Sequence, residues 1–312
     1  MSSLPLITAA GDAIRRTFRV ILSGDPDGEP PWVKAIGADG DAGWFGPGSA
    51  TWEVNGSLAT LVGGPRALLL QACHPLALAG VEQHSTYRTD PLGRLQRTNL
   101  YVTTSTFGSS TQAEQTAAMV RSVHERVSGT APDGRPYSAQ DPRLLLWVHI
   151  GLTDSMLVAY QRFGRGQVDA DQYVAEMGQL ASALGVENPP TTVAELAEAF
   201  DSFSDEVAGG PDARAVAKFL RFPGRALPIG AWGPYEVLVR SATDLLPGWA
   251  HDVLGTSARP VAVERADSAV CATTLRSLQA ILGPRSRAVE LAYRRLGIDP
   301  DATPPRTSER SR

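Results

Sequence analysis

Cysteine and histidine are scarce in this 312-residue chain, which has two cysteines, Cys73 and Cys271, and five histidines. The two thiols lie far apart and neither belongs to a CxxC pair, which excludes a disulfide framework and a thiolate zinc site. Basic runs are missing too. With 29 Lys+Arg against 33 Asp+Glu and a net charge of -4, the chain lacks the electrostatic footprint of a nucleic-acid binder. Long apolar runs are also absent. The most apolar windows, 67–79 and 144–157, are broken by His74 or by His149 and Asp154, and both fall short of the about 20 residues of a membrane span. The first arginines, Arg15 and Arg16, fall inside an amphipathic stretch, so no export signal is expected and the reading is of a cytoplasmic protein. What the chain does have is 43% hydrophobic and 20% charged residues, enough to bury a sizeable core and too apolar for disorder throughout.

Most of the sequence reads at helical period. A helix over 6–22 carries Ile7, Ile14, Phe18 and Ile21 on one face and stops at Gly24. The stretch 25–56 is so punctuated by proline and glycine that it reads as a loop, structured because Trp32, Trp44, Phe45 and Trp52 need something to pack against. Helices are predicted at 65–72, 75–85 and 91–106, then from a cap at Ser110 or Thr111 to Val127, and from Asp141-Pro142 to Phe163. Further patterns fall at 169–184, 192–206, 211–220, 233–245, 264–282 and 284–296, with Thr192 and Glu195 spaced as a capping box. No alternating run is long enough to anchor a sheet. The expectation is an all-α fold, one large bundle-like domain over 1–302 with a patternless tail at 303–312.

Common motif chemistries fail on spacing. His124-Glu125 is followed by Ser128 where HExxH needs its second histidine, and the residues three before each histidine are Gln71, Val81, Arg121, Leu146 and Gly248, so no di-iron Glu-x-x-His pair exists. Nor is there a GxxxxGK loop, a GxSxG elbow or a CxxCH haem attachment.

Three features remain. Ala113, Ala117, Val120, His124 and Val127 share one helix face, which places the His124 imidazole in an apolar stripe and predicts its burial. A buried neutral imidazole can ligate haem iron, or it can be a core histidine bonded to a backbone carbonyl. In the run 94–101, Arg94 and Thr98 are four apart, as are Arg97 and Tyr101, so neighbouring turns present two guanidiniums, a hydroxyl and a phenol. Such a face suits haem propionates or an iron-bound oxygen species, although arginine and threonine on a helix also commonly face solvent. His149 sits in a helix apolar all round and needs a partner, which a cofactor, Thr153 or the preceding turn's carbonyl could provide. His74, before Pro75, is placed to satisfy a helix terminus, while His84 and His251 lie in more polar surroundings.

The order of short motifs resembles the MpaB-type oxygenase family, relatives of the rubber-cleaving latex clearing protein. The likeness runs through FGPGS at 45–49, WEVNG at 52–56, LLQACHP at 69–75, GVEQHS at 80–85, Asp90-Pro91 and Arg94 to Thr98. It continues with Val123-His124, Val127-Ser128-Gly129, Tyr137-Ser138-Ala139, Asp141-Pro142 and LWVH at 146–149, spanning 43–205. The resemblance implies an all-helical fold around a non-covalent haem b. Arg94 and Thr98 match the family's Arg-x-x-x-Thr motif, and His124 matches the proximal histidine, hence the metal ligand. Arg97 stands where the rubber oxygenases carry a distal lysine; because arginine does not readily release its proton or ligate iron, water or an open position is expected opposite His124. Arg94, Arg97 and Thr98 then become the residues acting on propionates or oxygen, with Tyr101, Val120 and His149 beside the cofactor. The implied activity is a haem-dependent oxygenase acting with O2 on a small hydrophobic, unsaturated substrate by cleavage of a carbon–carbon double bond. An apolar pocket lined in part by Leu145, Val148 and Met156 would keep water away. The rivals are a haem sensor or carrier without turnover and a haem-free helical interaction protein.

Overall fold

The computed structural model describes residues 4–222 and 227–301, and it is all-α, as the periodicity predicts. The tail expected at 303–312 lies outside the described residues. Helix α1 (Leu4–Ser23) opens the chain. The stretch read as a loop holds two six-residue helices, α2 (Pro31–Ile36) and α3 (Ala50–Asn55). Each begins on a local signal that the surrounding glycines mask. Pro31 takes the first turn of α2, where its missing N–H costs nothing, and Ser49 caps α3 by accepting from Trp52 N at 3.2 Å. The aromatics of this stretch do pack, with Phe45 and Trp52 buried and Trp32 and Trp44 against the core.

The middle of the chain forms α4 (Thr60–Gln71), α5 (Pro75–His84), α6 (Pro91–Phe107), α7 (Ser110–His124) and α8 (Pro142–Phe163). Ser109, one residue before the expected caps, starts α7 through a full capping box with Gln112. The helix ends at His124 rather than Val127, because the chain then turns into a short antiparallel hairpin, β1 (Ser128–Thr130) against β2 (Pro136–Ser138). Asp141 and Pro142 start α8 as predicted, Asp141 accepting from Arg143 N at 2.8 Å. This 22-residue helix is the axis of the fold and buries Trp147, Ile150, Leu157 and Tyr160.

Helix α4 lies along α8 at close range. A Cβ on Gly63 would sit 2.7 Å from Met156 Sδ and 3.1 Å from Ser155 O, so glycine lets the two backbones approach. Arg66 pins the pair. Its side chain, 3% exposed, donates to Asp154 at 2.6 Å, Ser155 Oγ at 2.9 Å and Leu245 O at 2.9 Å.

The remainder comprises α9 (Ala170–Ala183), α10 (Val193–Asp201), α11 (Pro211–Arg221), α12 (Trp232–Asp244), α13 (Gly248–Leu254), α14 (Val261–Leu282) and α15 (Arg287–Arg295). Helix α10 is shorter than the expected 192–206. Thr192 caps it, but Glu195 bonds Thr191 N at 2.7 Å instead of completing the box. The seven residues of α13 were too few to register as a period. One buried cluster runs from Val33 on α2 to Ala292 on α15. Arg295 closes this end by donating to Ile36 O at 2.6 Å, Phe107 O at 2.9 Å and Asp41 O at 3.1 Å, the first two being terminal carbonyls of α2 and α6. Among the described residues no helix is long and apolar enough to cross a membrane.

Candidate functional site

Helix α6 is started by Asp90, whose carboxylate accepts from Gly93 N at 2.9 Å, with Pro91 in the first turn. Helical spacing then aligns Arg94, Thr98, Tyr101 and Ser105. Arg94 is partly buried, donates to Ser85 Oγ at 2.5 Å and lies 6.0 Å from the Tyr87 ring centre. Tyr87 is itself held by Glu82, which Arg88 also engages at 2.7 Å. Among the described residues no carboxylate lies within ion-pair distance of Arg94, and burial pulls its pKa down. Its positive charge is therefore kept in a partly dry setting without a counter-ion.

The rest of the α6 run is more open than a buried anion face would be. Arg97 is exposed, donating to Thr86 Oγ1 at 2.9 Å and lying 3.6 Å from Asp90. Thr98 is exposed and its hydroxyl turns back to Arg94 O at 3.1 Å. Tyr101 is half-buried near Leu180 O at 3.4 Å, and burial raises its pKa.

On α7 the apolar stripe is buried at Ala113 and Ala117, while Val120 and His124 are half-buried. The full burial expected of His124 is thus corrected. The helix stops there, and the hairpin that follows leaves the imidazole at a rim instead of under another turn. Its Nδ1 is nonetheless buried with no hydrogen-bond partner, and burial lowers the pKa, favouring the neutral ring. Beside it is a cavity of about 190 Å³ lined by Arg121, Ala139, Gln140, Leu145 and Leu184. Arg121 also caps α9 through Ala183 O.

Leu145 and His149 are one turn apart on α8, so the helix face that meets this cavity carries the second imidazole. His149 is 7% exposed; Nδ1 lies 3.4 Å from Thr153 Oγ1, Nε2 has no partner, and burial drives the pKa to about 4. Among the described residues no hydrogen bond or ion pair joins the α6 face to either histidine. The pocket expected from Leu145, Val148 and Met156 does not form as such. Leu145 lines the cavity, Val148 points outward at 41% exposure, and Met156 packs against Gly63 on α4.

The other histidines have structural partners. His74 caps α5, Nδ1 accepting from Leu76 N at 3.2 Å, and Nε2 lies 3.3 Å from Glu206, which Arg143 holds at 2.7 Å. His84 meets Ser128 O and Tyr137 OH at 3.1 Å, and His251, buried rather than polar in its surroundings, meets Thr256 Oγ1 at 2.8 Å.

A haem b needs an axial nitrogen, a cation for its carboxylates and a slot for its ring. The donor chemistry is present on two helices, since His124 offers a neutral imidazole with an unpartnered buried nitrogen and Arg94 a cation without a counter-ion, but Arg94 does not line the cavity beside His124. The slot is tight. At about 190 Å³ the cavity is below the ~300 Å³ lower end of small-molecule pockets, so a macrocycle requires the α7 terminus and the 139–140 and 184–185 segments to separate. A larger cavity of about 610 Å³ lies elsewhere, among residues from Gly48 to Tyr293, and the 45–49 and 52–56 motifs supply part of its lining through Gly48, Ser49, Trp52, Glu53 and Gly56.

Residues 52–277 match the family model described as ER-bound oxygenase mpaB/B'/Rubber oxygenase, catalytic domain. Neither the curated proteins nor the solved structures contain a significant match to the chain.

Proposed function

Because the chain belongs to the family of the mpaB and rubber oxygenase catalytic domain, we propose that it is a haem b-dependent oxygenase. Its substrate in this reading is a small, hydrophobic, unsaturated molecule whose carbon–carbon double bond is cleaved with O2 to two carbonyl groups. The observation that carries the reading is His124, a neutral imidazole at a cavity wall with a buried nitrogen that nothing in the described chain engages.

When bound, haem b supplies the redox-active iron that allows O2 to react with an alkene. The protein's own residues do the rest. His124 would hold the iron through a ring nitrogen that its setting keeps unprotonated. Arg94, held by Ser85 and Tyr87, would bind a propionate carboxylate, which would return the missing counter-charge. Arg97 and Thr98 stand on the open side of α6, where Arg97 is already shared with Asp90 and Thr86; they would serve the carboxylates of the cofactor. Tyr101 on α6 and Val120 on α7 would contact it. Leu145 and Leu184 exclude water from the reacting double bond. His149, uncharged at neutral pH, is available as a hydrogen-bonding group and not as an acid.

The test is the visible spectrum of the purified chain after haem loading. A Soret band that His124→Ala abolishes and His149→Ala retains is the expected result. Mass spectrometry after incubation with a panel of small alkenes under isotopically labelled O2 should then find label in both carbonyl products. Protein that stays colourless on loading overturns the haem reading; coloured protein that yields no carbonyl product makes it a carrier or sensor.

A further inference from the structure

The larger cavity, about 610 Å³, lies between α3, the C-terminal end of α8 and the α14–α15 pair, and shares no lining residue with the space beside His124. Its volume is within the about 300–1,000 Å³ of small-molecule sites. Four guanidiniums line it, those of Arg162, Arg165, Arg276 and Arg285, against the one carboxylate of Glu53. That carboxylate already accepts the Tyr160 hydroxyl. Arg285 pairs with Asp301 at 2.9 Å, but Arg162, Arg165 and Arg276 have no carboxylate within ion-pair distance among the described residues. So strong a positive cluster runs against the net charge of -4 carried by the whole chain.

The wall between these charges is apolar, formed by Leu58, Phe163, Leu275 and Tyr293. Trp52 also lines the cavity. It is 6% exposed and packs edge-on against Tyr293, another lining residue. Charge, volume and apolar wall ask for one kind of molecule.

We propose that this cavity binds an amphiphilic organic anion, a carboxylate or similar oxyanion head on an apolar body, at a site separate from the one at His124. The head engages the unpaired guanidiniums, and the body covers the apolar wall. The proposal does not depend on the oxygenase reading.

Isothermal titration calorimetry of the full chain tests it, with octanoate as probe and octanol and acetate as controls. Octanoate should bind, with octanol and acetate each weaker by at least about tenfold, because each lacks half of the recognised chemistry. The double variant Arg165→Gln/Arg276→Gln, both residues exposed, should keep its melting temperature and lose at least about tenfold in octanoate affinity. Arg162→Gln is the independent second variant, expected to weaken octanoate in the same direction. Rising salt should weaken octanoate and leave octanol unchanged. His124→Ala should bind octanoate as the unaltered protein does. Absence of octanoate binding, equal binding of octanol or acetate, full affinity in both arginine variants, or loss of affinity in His124→Ala would each overturn the proposal.

Discussion

His149 makes the stability of this protein depend on pH in a way that can be calculated. The imidazole is 7% exposed and burial lowers its pKa from 6.5 to about 4, so the folded chain resists a proton that the unfolded chain accepts. Above pH 6.5 the ring is neutral in both states and contributes no pH dependence. As the pH falls from 6.5 towards 4 the unfolded state gains the proton first, and stability declines. Linkage with these two values gives a loss of about 2 kcal/mol between about pH 7.5 and about pH 5 from this residue alone. His74 and His124, whose pKa values are also lowered mainly by burial, add to the slope in the same direction. The difference between the native chain and His149→Leu therefore isolates the contribution, since leucine does not titrate and removes the unpartnered Nε2. Urea unfolding at both pH values reads it directly. The variant should lose about 2 kcal/mol less than the native protein on acidification. Parallel curves would refute the reasoning, because they would mean that the ring takes up its proton in the folded state at an ordinary pKa.

Three other outcomes follow from the packing. Arg66→Ala should cost about 3–5 kcal/mol in urea unfolding, because it strips partners from Asp154, Ser155 and Leu245 O at once; a loss below about 1 kcal/mol would place the guanidinium among ordinary surface pairs. Gly43→Ala should be destabilised well beyond about 1 kcal/mol, since φ is +87° and a Cβ there would meet Gly108 O at 2.1 Å, whereas Gly46→Ala, with nothing within 4 Å, should differ little; equal melting temperatures would contradict this. Cys73, 0% exposed with its thiol pushed up to about 12, should resist alkylation at about pH 8 until urea unfolds the chain, and labelling of the native protein would show it to be accessible.

Legibility from sequence varied with how local each signal is. Helices α6 and α8 were readable because Asp90-Pro91 and Asp141-Pro142 combine a cap with a first-turn proline, and α8 then runs apolar for several turns. His74 was readable as a helix-end residue for the same reason, Pro75 following it at the first position of α5. Helices α2 and α3 escaped because six residues carry less than two turns of period, and the glycines and prolines around them dominate any window. The site was half legible. The stripe on α7 correctly gave Ala113 and Ala117 as buried, but the depth of His124 depends on where the helix stops, and that is set by the hairpin at 128–138, too short to show an alternating pattern. The separation of Val148 from Met156 depends on α4 reaching α8 through Gly63, a contact between segments about 90 residues apart. The arginines of the larger cavity are non-local, coming from α8, the segment after it, α14 and the turn before α15.

The reach of Arg295 bears on how the chain is made. The carbonyl of Phe107 that it satisfies leaves the ribosome 188 residues ahead of it, and that of Ile36 precedes it by 259. Until helix α15 is synthesised, the Ile36 and Phe107 carbonyls can bond only to water, and Val33 and Ile36 lack the cover that Leu291 and Ala292 provide. A nascent chain halted before this point thus exposes an unfinished apolar edge, the kind of surface that chaperones grip, and Arg295 acts as the clasp that ends their hold.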